Sequence, residues 1–168
     1  MSSRDHPGVI APPPLIYLGI LLVGWGLAEL GTRPEAVAAG FGWLAASVGF
    51  EMSVRRGLAL TLILGGLLLD GMAAGLFRRR GTAVEPWKPS TVLINEGPYR
   101  FSRNPIYVGF AFTYAGLAIA MDSALVLFLL LPCLAVVDQF VIQREERYLA
   151  AKFGSDYEAY RQKVRRWL

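Results

Sequence analysis

The chain has 168 residues, 54% of them hydrophobic and only 18% charged, with mean hydropathy +0.42 and a formal charge of +4. That balance excludes an ordinary soluble domain and points to one small bundle of membrane helices. The basic residues gather in two stretches, Arg78 to Arg103 and Arg144 to Arg166. Both lie beside apolar runs, as cytoplasmic flanks do, and this placement argues against nucleic-acid binding.

The first stretch, "MSSRDHPGVIAPPP", is polar and then proline-rich, so no cleavable signal is expected. Pro12, Pro13 and Pro14 suit the start of a first span over Leu15–Leu30. Ala36–Phe50 is shorter and rich in Ala and Gly, a composition that fits either a close-packed crossing or an interfacial position. Leu58–Phe77 is a predicted span closed by Arg78, Arg79 and Arg80. Next comes the one long polar connection, "GTAVEPWKPSTVLINEGPYRFSRN", whose prolines and glycines predict an ordered loop.

A short span, Ile106–Met121, follows Pro105, and "MDSA" reads as a tight turn. Ala124–Ile142 spans back and continues beyond the membrane as "QREERYLAAKFG", with Gly154 as its stop. Then "SDYE" predicts a capping box of Ser155 with Glu158. The last helix is expected to set Tyr157, Tyr160, Val164 and Trp167 on one face, with Arg161, Arg165 and Arg166 elsewhere, as an interfacial helix does. The expected fold is all-α: a polytopic bundle of four or five transmembrane helices with a cytoplasmic loop and a carboxy-terminal amphipathic helix. The chain carries no internal repeat, which disfavours a transporter.

Cys133 and His6 are the only cysteine and histidine, and they are far apart. No disulfide, Cys/His nucleophile pair or metal site is expected from them. The acids within or beside apolar runs are Asp70, Asp138 and the pair Glu145–Glu146. Asp138 and Glu145 are seven residues apart, so a regular helix would place them on one face, roughly 10 Å apart, with Leu149 continuing it. The plainer readings are that Asp70 is structural, that Asp138 bonds a neighbouring helix and that Glu145 pairs with Arg144 or Arg147 in solvent.

Arg100 and Arg103, with Asn104 and a helix starting at Pro105, would make an anion pocket, or else contact lipid phosphate. Tyr99 and Tyr107 would add aromatic walls for a cation or a ring. Together these residues suit a zwitterionic ligand with apolar space beside it.

The segments "RRRGTAVEPWKPSTVLINEGPYRFSRNPIYVG" and "EERYLAAKFGSDYEAYRQKVRRWL" resemble the isoprenylcysteine carboxyl methyltransferase family in its bacterial and archaeal branch. Phospholipid methyltransferases share the same carboxy-terminal pattern. The likeness covers Gly81 to Leu168, more than half of the chain. It implies an integral membrane enzyme, in a bacterial inner membrane, that binds S-adenosyl-L-methionine from the cytosol and takes a lipophilic acceptor from the membrane.

On this resemblance Arg103, Glu145 and Glu146 are the catalytic candidates. Glu96, Gly97, Tyr99, Arg100, Arg103, Asn104, Pro105, Tyr107, Glu145 and Glu146 would bind the cofactor, and no metal is implied. Residues 1–56 would be variable amino-terminal helices and 57–168 the cofactor-binding core of a single domain. Asn104 stands where eukaryotic members carry His, and Glu96 where they often do, which bears on the acceptor rather than on the cofactor. An amine acceptor would need a base from among Glu96, Glu145 and Glu146, whereas a carboxylate or thiolate would not. The rival reading is a non-catalytic membrane module that binds anionic lipid through its basic loop and tail.

Overall fold

A computed structural model describes residues 7–9, 11–30 and 52–168; His6 and the stretch Ala36–Phe50 lie outside them. Among the described residues every regular element is helical: α1 (Pro13–Glu29), α2 (Met52–Arg79), α3 (Pro105–Ala120), α4 (Ala124–Phe153) and α5 (Ser155–Lys163). A single 3-10 turn, Gly97–Arg100, interrupts the loop before α3. Prolines start α1 and α3 because they supply a helical φ and lack an N–H that would go unpaired there.

Two of these helices, α2 and α4, are long and apolar enough to cross a membrane; α1 and α3 are apolar but shorter. With 28 residues, α2 is about 42 Å long, more than a bilayer's hydrocarbon core needs. Its Leu60, Leu64, Leu67, Leu68 and Met72 are exposed, forming a face that lipid would cover.

The opposite face of α2 is a seam of small residues. Ala59, Gly66 and Ala73 are its buried positions, spaced by seven so that they share one side of the helix. Gly66 meets Gly109 of α3 and Ala59 meets Gly116, while Ala73 packs in a cluster with Ile94 and Tyr99. A Cβ on Gly66 would stand 2.5 Å from the Gly109 carbonyl oxygen, and one on Gly116 would stand 2.8 Å from that of Ala59. Glycine at these points lets the two backbones touch, and dispersion over the seam holds the pair together. Asp70 packs against Gly109 within the same contact, in keeping with its structural reading, and its Oδ1 is buried without a hydrogen-bond partner.

At one end of the bundle Arg55 pairs with Asp122 of the α3–α4 turn at 2.7 Å. Asp122 takes φ 53°, and Ser123 accepts from the Val126 N–H, so "MDSA" is the turn expected. The opposite end carries the 80–104 loop, the polar end of α4, α5 and the chain terminus. Tyr17 of α1 joins this frame by donating to the Tyr107 carbonyl at 3.0 Å.

Within α4 the regular pattern breaks twice. Pro132 has no N–H for the carbonyl of Phe128, and the helix is interrupted at Leu129. Asp138–Ile142 then forms a π-helical turn. Such a turn holds one extra residue, so the residues beyond it are rotated by about 100° relative to a regular helix. Asp138 and Glu145 therefore do not share a face, contrary to the heptad expectation.

The carboxy-terminal end also differs from expectation. Gly154, at φ 52°, does separate the helices, but it also holds the cap position, so Ser155 is already the first helical residue, and Glu158 pairs with Arg161 instead. Helix α5 ends at Lys163, and Val164 is extended. Tyr157 and Tyr160 are buried against the protein rather than presented to an interface, and the last residues form an extended tail across the start of α3.

Candidate functional site

A cavity of about 100 Å³ lies where the 80–104 loop, the start of α3, the polar end of α4 and α5 converge. Arg103, Asn104, Tyr107, Glu145 and Glu146 line it, with Tyr99 and Tyr160 among its aromatic walls. The two sequence motifs, some forty residues apart, thus share one chamber.

Local geometry explains why. The 3-10 turn Gly97–Arg100 tucks Tyr99 inward, where its ring meets Phe77 edge-on at 5.7 Å and its carbonyl accepts from the Tyr160 hydroxyl at 2.7 Å. Gly97 allows that turn because its φ is 57°, a value that costs other residues energy. Arg103 follows on the inner side. It donates from Nη2 to Glu146 Oε1 at 2.7 Å, and from Nη1 to the carbonyls of Arg161 and Val164, each at 3.0 Å. Its Nε is buried with no hydrogen-bond partner. Asn104 does not cap α3 with its side chain; it donates from Nδ2 to the Arg166 carbonyl at 2.9 Å.

The apolar run of α4 ends at Ile142, and the two glutamates beyond it have opposite electrostatics. Glu145 accepts from the Tyr107 hydroxyl at 2.7 Å. Burial raises its pKa from 4.5 to about 7; the Tyr107 bond opposes that rise and the neighbouring Glu146 charge adds to it. For Glu146 burial acts in the same direction, but bonds from Arg166 and Arg103 outweigh it and hold the carboxyl below its usual range. One site therefore carries a fixed carboxylate and a second one that changes charge near neutrality.

Three of the predicted positions lie elsewhere. Glu96 forms a surface ion pair with Arg80 at 2.7 Å. Gly97 borders an outer groove beside Gly71 and Gly75 of α2. Arg100 is exposed on another groove, with Asn95 and Phe153. Arg100 and Arg103 are three residues apart, but the 3-10 turn ends between them and they diverge. Pro105 does not line the cavity either; it is buried as the first residue of α3. Glu145 pairs with neither neighbouring arginine, since Arg144 donates to the Gly8 carbonyl and Arg147 to that of Gln143.

The second guanidinium of the site is Arg166, which the sequence placed on the terminal helix, away from its apolar face. Its fork meets Glu146 at 3.1 and 2.6 Å, and its Nη1 reaches Asp138 at 3.2 Å. The only sequence signal was a basic residue beside Trp167 near the terminus. Tyr148, whose hydroxyl accepts from the Ser90 N–H at 3.1 Å and so ties the loop to α4, was also missed.

Residues 54–156 match the phospholipid methyltransferase family. An uncharacterized protein of Haemophilus influenzae is 64% identical over 33 residues, which make up 20% of this chain and 52% of that protein. The chain thus spans about half the length of that relative. No solved structure matches the chain.

Proposed function

This chain belongs to the phospholipid methyltransferase family, and from that premise we infer that it transfers a methyl group from S-adenosyl-L-methionine to a lipophilic acceptor at the cytoplasmic face of a bacterial inner membrane. The observation that carries this reading is the composition of the cavity. A guanidinium with a buried, unpartnered Nε, two carboxyls of different charge and tyrosine walls stand together at the end of apolar helices.

The residues present suit the cofactor. Arg103 offers a donor to its carboxylate, and Glu145 an acceptor to its ammonium or ribose hydroxyls. Tyr99 and Tyr107 supply faces for adenine or for a cation. When bound, the cofactor supplies an electrophilic methyl group on a sulfonium. Its displacement is direct, so the protein's task is alignment and exclusion of water. A carboxylate or thiolate acceptor needs no base. For an amine acceptor, Glu145 is the suitable base, because its pKa lies near neutrality while Glu146 is held by two guanidiniums.

On this reading α1 to α4 make four crossings. The cavity end faces the cytosol, since Arg78, Arg79 and Arg80 close α2 there. Residues 57–168 supply most of the lining, and Pro7 adds to it from the amino terminus.

Cofactor binding by the purified protein in detergent tests the proposal. The unaltered chain should bind S-adenosyl-L-methionine with micromolar affinity, the order usual for metabolites. Arg103→Ala and Glu145→Gln should each weaken binding. No binding by the unaltered chain would overturn the assignment and leave the anionic-lipid module.

A further inference from the structure

We propose that Arg166 is a positioning residue of this site: it ties the carboxy-terminal tail to α4 and holds Glu146 in the orientation from which Glu146 grips Arg103. The affinity arm of its test rests on the cofactor reading above; the contact geometry does not.

Four charged groups stand in series, Asp138, Arg166, Glu146 and Arg103. The Arg166 fork meets both oxygens of Glu146, with Nε at 3.1 Å from Oε1 and Nη2 at 2.6 Å from Oε2. Its Nη1 is 3.2 and 3.3 Å from the two Asp138 oxygens. Arg103 Nη2 reaches the same Glu146 Oε1 at 2.7 Å. A two-point pair fixes the plane of a carboxylate as well as its charge, which a single ammonium does not do.

The tail is anchored around this fork. The Arg166 carbonyl accepts from Asn104 Nδ2 at 2.9 Å and from Ser102 Oγ at 3.3 Å, and the Arg165 carbonyl accepts from the Arg103 N–H at 2.9 Å. Meanwhile Arg103 spends Nη1 on the carbonyls of Arg161 and Val164. The end of α5, the tail and Glu146 together thus occupy both Nη atoms of Arg103 and leave Nε unpartnered.

Asp138 does not line the cavity. It borders an apolar groove between α3 and α4 that Trp167 and Leu168 also border. Through Arg166, then, a carboxylate on that outer side acts on one inside the cavity. The π-helical turn makes this possible, because it rotates Asp138 away from the face that carries Glu145.

The groups facing Glu146 are Arg103 before α3, Arg166 from the tail, Glu145 on its own helix and Tyr157 from α5. Removal of Arg166 leaves one guanidinium of the two, so Glu146 should take up its proton at higher pH.

Two readouts test the proposal on the full chain in detergent. The first, without cofactor, follows glutamate carboxyl titration by carbon-13 NMR, the Glu146 signal being assigned by its loss in Glu146→Gln. Arg166→Ala should move that titration to higher pH, and Arg166→Lys should restore part of the shift. The second readout is affinity for S-adenosyl-L-methionine. Arg166→Ala should weaken it about tenfold, the loss of one strong charge-assisted pair. Asp138→Asn should weaken it by a smaller factor, and only while Arg166 is present, so the double variant should match Arg166→Ala alone.

A tail that serves only as a cover would lower the melting temperature but leave the Glu146 titration unmoved. The effects at Asp138 and Arg166 would then add independently, and either result overturns the proposal. If the unaltered chain binds no cofactor, the methyltransferase reading fails, while the titration still decides the role of Arg166.

Discussion

Glu145 makes the protein's stability depend on pH in a direction opposite to that of an ordinary ion-paired carboxylate. Its pKa rises from 4.5 to about 7 on folding, chiefly because the side chain is desolvated. Between those values the unfolded chain has released the proton while the folded protein keeps it. The folded state thus binds more protons, and stability falls as pH rises through this window, levelling off above about 7. At about 1.4 kcal/mol per pH unit, the full loss is about 3 kcal/mol.

Glu145→Gln removes this titration. Its stability relative to the unaltered protein should increase by about 3 kcal/mol between pH 5 and pH 8, or roughly 6–12 °C in melting temperature for a chain of this size. Cys133 is the only cysteine and is fully buried, so a thiol-reactive fluorophore reports unfolding without an added label. Melts at constant salt across this pH range make the comparison. Parallel pH profiles for the two proteins would refute the reasoning, because they would mean that Glu145 is solvated in the folded state. Tyr107→Phe should extend the slope to higher pH, since the Tyr107 hydroxyl is the donor that favours the carboxylate.

The helix seam and the outlying loop residues make two further predictions. Gly66→Ala should cost about 1–3 kcal/mol, read as lost monodisperse yield and a lower melting temperature, because its Cβ would meet the backbone of α3. Gly65→Ala, with nothing within 4 Å, should be tolerated, and equal losses at the two positions would contradict the packing. Arg100→Ala and Glu96→Gln should leave affinity for S-adenosyl-L-methionine within about twofold, as surface substitutions do; a tenfold loss from either would place the ligand outside the cavity described.

Much of the helical frame was legible in the sequence. Apolar runs announced α1 to α4 to within a few residues at most ends, although α2 begins six residues before its predicted start. Prolines marked the starts of α1 and α3, and Gly154 marked the break before α5. Those signals are local: burial of an apolar stretch, a fixed φ, a positive φ. The Arg103–Asn104–Pro105 corner and the Glu145–Glu146 pair were legible too, because each depends on a few adjacent residues at the end of such a run.

Only the tertiary structure decided which charges meet. Arg103 turned inward and Arg100 outward because a 3-10 turn ends between them. A single extra residue in the α4 turn parted Asp138 from Glu145. Arg166 became the second guanidinium because the chain leaves α5 extended and crosses the start of α3. Hydrophobic runs act through solvent, which every residue meets alike, so they can be read in order along the chain. An ion pair needs two particular atoms within a few ångströms, and here non-helical segments, whose course no periodicity encodes, bring those atoms together.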